Sequence, residues 1–136
     1  MPVSENAESE RAMDVACRLA DAAAVITCVA VVEVPALLPL DAHMQKEEER
    51  ARSALQRARA IAESYGVSST PRLLRSRQAA DAVVSEAAAK DVQLIVIAAL
   101  RKQLRRGPAA LGTTIEHVLR HASCRVLVIE ELQAAA

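Results

Sequence analysis

Residues 93–129 read QLIVIAALRKQLRRGPAALGTTIEHVLRHASCRVLVI, in the order strand, loop, helix, strand. Leu94-Ile95-Val96-Ile97-Ala98 is an apolar run without polar alternation, the pattern of a strand buried on both faces. Arg125-Val126-Leu127-Val128-Ile129 repeats that pattern. Between them Gly112-Thr113-Thr114 opens a helical stretch over 113–121. Two buried strands joined through a helix predict a parallel pair with a right-handed crossover. The Gly-Thr step at the helix start offers backbone N–H groups and a hydroxyl, which suits an anion. Thr113 serving as an ordinary N-cap is the plainer alternative.

The same alternation continues toward the N-terminus. Residues 79–90 read as a short helix and 67–74 as a weak strand, which Pro71 places at a sheet edge. Residues 44–65 form the clearest helix, with Gly66 as its natural stop. Residues 33–43 and 99–111 read as loops. Val25-Ile26-Thr27-Cys28-Val29-Ala30-Val31-Val32 is a second continuous strand run. Residues 5–23 read as a helix, capped by Ser4 or Asn6. The order α-β-α-β-α-β-α-β predicts one domain over 1–136: an α/β fold of three layers, α/β/α, around a parallel sheet. Such sheets bind ligands beyond the carboxyl ends of their strands. Here those ends are Val3-Ser4, Val31 to Val34 and Ala98 to Arg101, with Gly112 to Thr114 across the next loop.

Composition narrows the function. The 136 residues are 52% apolar and 25% charged, with one Tyr and neither Phe nor Trp. A chain without aromatic platforms is poorly suited to stacking on single-stranded nucleic acid, and a net charge of zero gives no field toward DNA. No nucleic-acid partner is expected. Cys17, Cys28 and Cys124 are widely spaced and contain no CxxC pair, so they read as small core residues in a reducing compartment. With no membrane-length apolar run and no signal peptide, the chain is expected in the cytosol. His117 and His121 stand four apart on one helix, but no Glu-x-x-His pattern supports a metal. No arrangement for nucleophilic catalysis appears, so no enzyme is expected.

The loop before Gly112 carries Arg101, Lys102, Arg105 and Arg106, and no acid lies between Asp91 and Glu116. A solvated charge run is the bland reading. Cations able to hold a phosphate, or an acidic phospholipid surface, are the sharper ones.

The stretch from Leu94 to Ile129 closely resembles the C-terminal half of universal stress proteins, which carry DLIVMG, a glycine loop, GS and VLRHAPCPVLVV. Pro2-Val3-Ser4 followed by Ser9-Glu10-Arg11-Ala12 resembles that family's VPVD-S-E-A opening. The turn at Glu33-Val34-Pro35 and the basic loop look most like stress-protein domains attached to bacterial amino-acid transporters, which implies a possible transporter partner. The resemblance implies a non-enzymatic stress-response or regulatory domain. It also implies a sheet of order 3-2-1-4-5, whose first, central strand is here largely missing: only Met1-Pro2-Val3 precedes Ser4. Dimerisation through the last strand, Arg125 to Ile129, is implied as well.

Nucleotide-binding members of the family use a Gly, two residues, Gly, nine residues, Gly-Ser/Thr signature. By strand register the first two glycines fall on Ala98 and Arg101, and the spacing to Gly112 is then one residue too long. Counted back from Gly112 they fall on Ala99 and Lys102. The family's adenine-contacting Asp matches Ser4. The resemblance therefore implies a site at Ser4, Val31, Ala98, Arg101, Lys102, Gly112, Thr113 and Thr114 that binds no cofactor, or ATP or AMP weakly. A competent ATP/AMP-binding protein, or the detached regulatory domain of a transporter, are the alternatives.

Overall fold

The computed structural model describes residues 1–99 and 112–130. Four helices alternate with four strands among them. Helix α1 (Ala7–Leu19) starts at Asn6, whose side-chain oxygen accepts from the Ser9 amide at 2.7 Å. Asn6, not Ser4, is thus the cap. The helix stops before residue 23 because Asp21 takes the Ala23 amide at 3.0 Å, a local turn that competes with the helical ladder. Strand β1 (Val25–Glu33) follows. Helix α2 (Gln45–Ser64) ends as its glycine predicts: Gly66 sits at φ 68°, Val67 N–H bonds Ala62 O at 2.9 Å, and Gly66 N–H bonds Glu63 O at 3.1 Å. That bond pair is a Schellman closure.

Strand β2 (Ser68–Ser76) lies parallel to β1 in the register Val25↔Ser68 to Glu33↔Ser76. Val34 N–H bonds Ser76 O, so the even-numbered residues of β2 face β1 and Pro71 faces outward, where its missing N–H costs nothing. Helix α3 (Ala79–Ala89), strand β3 (Leu94–Ala98), helix α4 (Thr113–His121) and strand β4 (Arg125–Ile129) complete the order. β3 and β4 are parallel, Leu94 beside Arg125.

Helices cover both faces of the strands. Met13 and Cys17 of α1 and Ala51, Ala54, Ala58 and Ala62 of α2 pack on Cys28, Ala30 and Val32. Val83 of α3 and Ile115 and Val118 of α4 pack on Ile95 and Ile97, with Val31 at the margin. Each fully buried Val or Met side chain in these layers contributes about 1.5–3 kcal/mol.

The strands form two two-stranded sheets, β1-β2 and β3-β4, rather than one continuous sheet. Met1–Val3 pairs with β1 at its middle: Met1 N donates to Thr27 O at 2.6 Å, Val29 N–H to Met1 O at 2.8 Å, and Val3 N–H to Val29 O at 2.8 Å. Pro2 and Val29 form an isolated parallel bridge. Below that stub the two sheets are separated by a cleft of about 540 Å³. The expectation that 25–32 and 94–98 are buried on both faces therefore needs correction. Val25 is 60% and Leu94 43% exposed, because each opens onto the cleft.

Candidate functional site

A second cavity, of about 370 Å³, lies where β1 and β3 end and α4 begins. Six of the sequence-derived positions line it together: Ser4, Val31, Ala98, Gly112, Thr113 and Thr114. Arg101 and Lys102 lie outside the described residues.

Two helix N-termini converge on this cavity, and they differ. In α1 the first turn is closed by Asn6, and Ser9, itself buried, accepts from the Ser4 amide at 2.9 Å. In α4 the N-cap is Gly112, at φ 87° and ψ 153°, and no side chain caps the first turn. Thr113 is thus the first helical residue and not the cap expected of it. The uncapped N–H groups and the positive end of the helix dipole remain available to an anion. A side chain at position 112 would be strained at that φ, which is why a glycine stands there.

Glu33 falls within the strand end expected at Val31 to Val34, although the sequence did not single it out as a site residue. It lines the same cavity and is the one titratable side chain doing so among the described residues. It also borders an adjoining cavity of about 470 Å³ that shares Ser4 and Val31 and adds Glu47 and Arg50. Strand alternation alone does not single out Glu33, because its importance depends on Ser4 arriving beside it from the chain start. The cavity thus joins free N–H donors, an apolar wall of Val29, Val31 and Ile97, and a carboxylate able to accept from amino or hydroxyl groups.

Elsewhere, His117 Nε2 lies 2.8 Å from Asp81 Oδ1, and the His117 and His121 rings are 4.3 Å apart. Among the described residues no group of three or more His, Cys, Asp or Glu gathers to hold a metal ion. No described helix is long and apolar enough to cross a membrane. Cys17 and Cys28 are buried and Cys124 half-buried, all three unbridged.

A family profile, that of the Universal stress protein family, matches residues 1–130. No curated protein matches the chain. Among solved structures, the universal stress protein of Archaeoglobus fulgidus is 21% identical with a TM-score of 0.76, over 93% of this chain and 92% of that one. The same organism's protein in complex with dAMP is 20% identical with a TM-score of 0.71, over 93% and 91%. A family member from Burkholderia pseudomallei is 27% identical with a TM-score of 0.69, over 94% and 91%.

Proposed function

The chain belongs to the universal stress protein family, and on that premise we propose that it is a non-enzymatic regulatory domain whose nucleotide site is degenerate. The observation that carries this reading is the cavity at the strand ends. It keeps the uncapped α4 start, but it presents Ala98 where the signature has glycine and Ser4 where the family has Asp. The dAMP complex of the Archaeoglobus fulgidus protein makes an adenine nucleotide the ligand to test first. Each charge-assisted hydrogen bond lost costs about 1.5–3 kcal/mol, or one to two decades in affinity. ATP titrated by calorimetry is expected to bind weakly and to lose that binding in salt. Low-micromolar affinity that survives about 0.3 M salt overturns the reading.

A competent ATP/AMP binder is the second reading, and Glu33 favours it, because a carboxylate stands in the cavity even though Ser4 does not supply one. Under that reading Glu33→Gln weakens ATP binding at least tenfold. Under the first it leaves the weak binding unchanged.

The sheet order 3-2-1-4-5 belongs to this proposal too. The two half-sheets are read as parts of one five-stranded parallel sheet, with Met1–Val3 at its central position. The edge of β4 that no described residue pairs with supports a homodimer through Arg125–Ile129. A cytosolic location and an amino-acid transporter as partner complete the proposal. Co-purification with a membrane transporter from its own cells tests the last point.

A further inference from the structure

His117 and His121 stand on successive turns of α4, four residues apart, and so share one face of the helix. Their ring centres are 4.3 Å apart and the planes are inclined by 42°. Two imidazole nitrogens on one ion, each about 2.0–2.1 Å from it, lie about 3 Å from one another. Rings whose centres are 4.3 Å apart meet that spacing by turning about their own side-chain bonds, with no movement of the helix. Both are open to an ion from solvent: the His117 side chain is 31% exposed, and His121 is exposed.

A carboxylate from a different helix completes the arrangement. Asp81, in the first turn of α3, brings Oδ1 to 2.8 Å from His117 Nε2, within hydrogen-bond reach. A neutral His117 that gives its Nε2 proton to Asp81 keeps a lone pair on Nδ1, the form that ligates a metal. A ligating histidine usually donates its other ring N–H to a carboxylate, which orients the ring and makes it a stronger donor. The sequence holds the two histidines without a supporting motif; the facing carboxylate is what the tertiary structure adds. The helix favours a cation at this place as well. α4 ends at His121, so the negative end of its dipole lies there. The charged neighbours on α4, Glu116 and Arg120, are of opposite sign and offset one another.

We propose that His117 and His121 form a two-histidine site for a divalent transition-metal ion such as zinc or nickel, with Asp81 holding His117 from behind. The protein ligands are a pair, and water fills the remaining positions, unlike the closed four-ligand sites that hold a fold together. Imidazole selects these ions over magnesium and calcium, which seek oxygen. The site is separate from the ligand cavity: that cavity meets α4 at Thr113, Thr114 and Ile115, and the ion meets its last turn. The inference goes beyond the nucleotide reading and does not depend on it.

The test titrates zinc and nickel ions in turn into the full chain, carried without a histidine tag, near neutral pH and read by calorimetry. One ion per chain is expected, with magnesium giving no heat. Nitrogen NMR of the imidazole rings is expected to move His117 Nδ1 and His121 and to leave His43 where it was. His121→Ala, at an exposed position, is expected to weaken binding at least tenfold. Asp81→Asn keeps the side-chain size and loses the charge, and is expected to weaken it about tenfold. Circular dichroism reports that both variants keep the fold. Cys124→Ser, which removes the half-buried thiol, is expected to leave the affinity unchanged. Absence of saturable binding overturns the proposal. So does binding that survives His121→Ala, that Asp81→Asn leaves unaltered, that is lost with Cys124 or that moves His43 instead, and so does magnesium competing for the site. ATP affinity enters none of these readouts, so failure here and failure of the nucleotide reading are separable.

Discussion

At φ 87° Gly112 occupies a region that L side chains rarely adopt, and it does so where α4 meets the ligand cavity. Gly112→Ala is expected to cost about 1–3 kcal/mol and to lower the melting temperature accordingly. An unchanged melting temperature would show that the turn relaxes without strain. Cys28 supplies a second prediction. It is buried under α1 beside Met13, and burial pushes its thiol pKa above the ordinary value near 9.0, with the nearby chain amino group pulling weakly the other way. The unfolded thiol ionises first, so the contribution is intact below pH 9 and is lost as pH rises through the folded value. Cys28→Ala should start from a lower melting temperature and fall less steeply as the pH is raised above the ordinary thiol value. Parallel curves for the two proteins refute this.

At the scale of elements, α2 shows how a helix without large apolar residues packs. Its buried stripe is Ala51, Ala54, Leu55, Ala58 and Ala62, which lets the helix approach β1 closely. Ala62→Leu has no room there and should cost about 1–3 kcal/mol by overpacking; a neutral result in urea denaturation would reveal unsuspected slack. The loop before α2 is tied down by arginines from the end of β2. Arg77 donates to Pro35 O at 2.5 Å and Leu38 O at 2.7 Å, and Arg75 to Ala42 O at 2.7 Å. Arg75 also pairs with Glu48. Arg77→Ala should speed proteolysis at Leu37–Leu40, since those carbonyls lose their anchor while the core is untouched. Equal cleavage rates would mean that Arg75 alone holds the loop. β2 read weakly in the sequence for a physical reason: it is mostly polar and none of its residues is fully buried, and its Pro71 is tolerated because that position faces outward.

Across the whole molecule, the interruption between β1 and β3 should govern how the fold opens. Amides of β1 that face β2, such as Ile26 and Cys28, are expected to exchange slowly. Thr27 and Val25, facing the cleft, should exchange faster by one or more decades. Uniform protection along β1 would mean that the cleft closes in solution. The dimer prediction belongs to the same scale. Among the described residues β4 pairs with β3 on one edge only, and Val126 and Val128 are half-buried. Light scattering should give a dimer at micromolar concentration that Val128→Lys converts to monomer. A wild-type monomer that the substitution leaves unaltered argues against it.

The alternation of helix and strand, the parallel sense of the pairs and the helix stop at Gly66 were legible in the amino-acid order, because periodicity, crossover handedness and capping are local properties. So was the convergence of Ser4, Val31, Ala98 and Gly112–Thr114, since strand ends in a parallel sheet lie on one side. Three features were not legible. Glu33 lay within the strand end read at Val31 to Val34, but its role in the cavity shows only once Met1–Val3 brings Ser4 beside it. The α4 cap is Gly112 rather than Thr113, because the backbone enters at positive φ. Among the described residues β1 pairs with β2 and with the short Met1–Val3 stub and β3 with β4, which leaves the cleft between them, and a run such as Val25–Thr27 reads as buried whether or not a neighbour lies beside it. Which groups a strand shows to empty space is set by its spatial neighbours, and those come from residues far away in the chain.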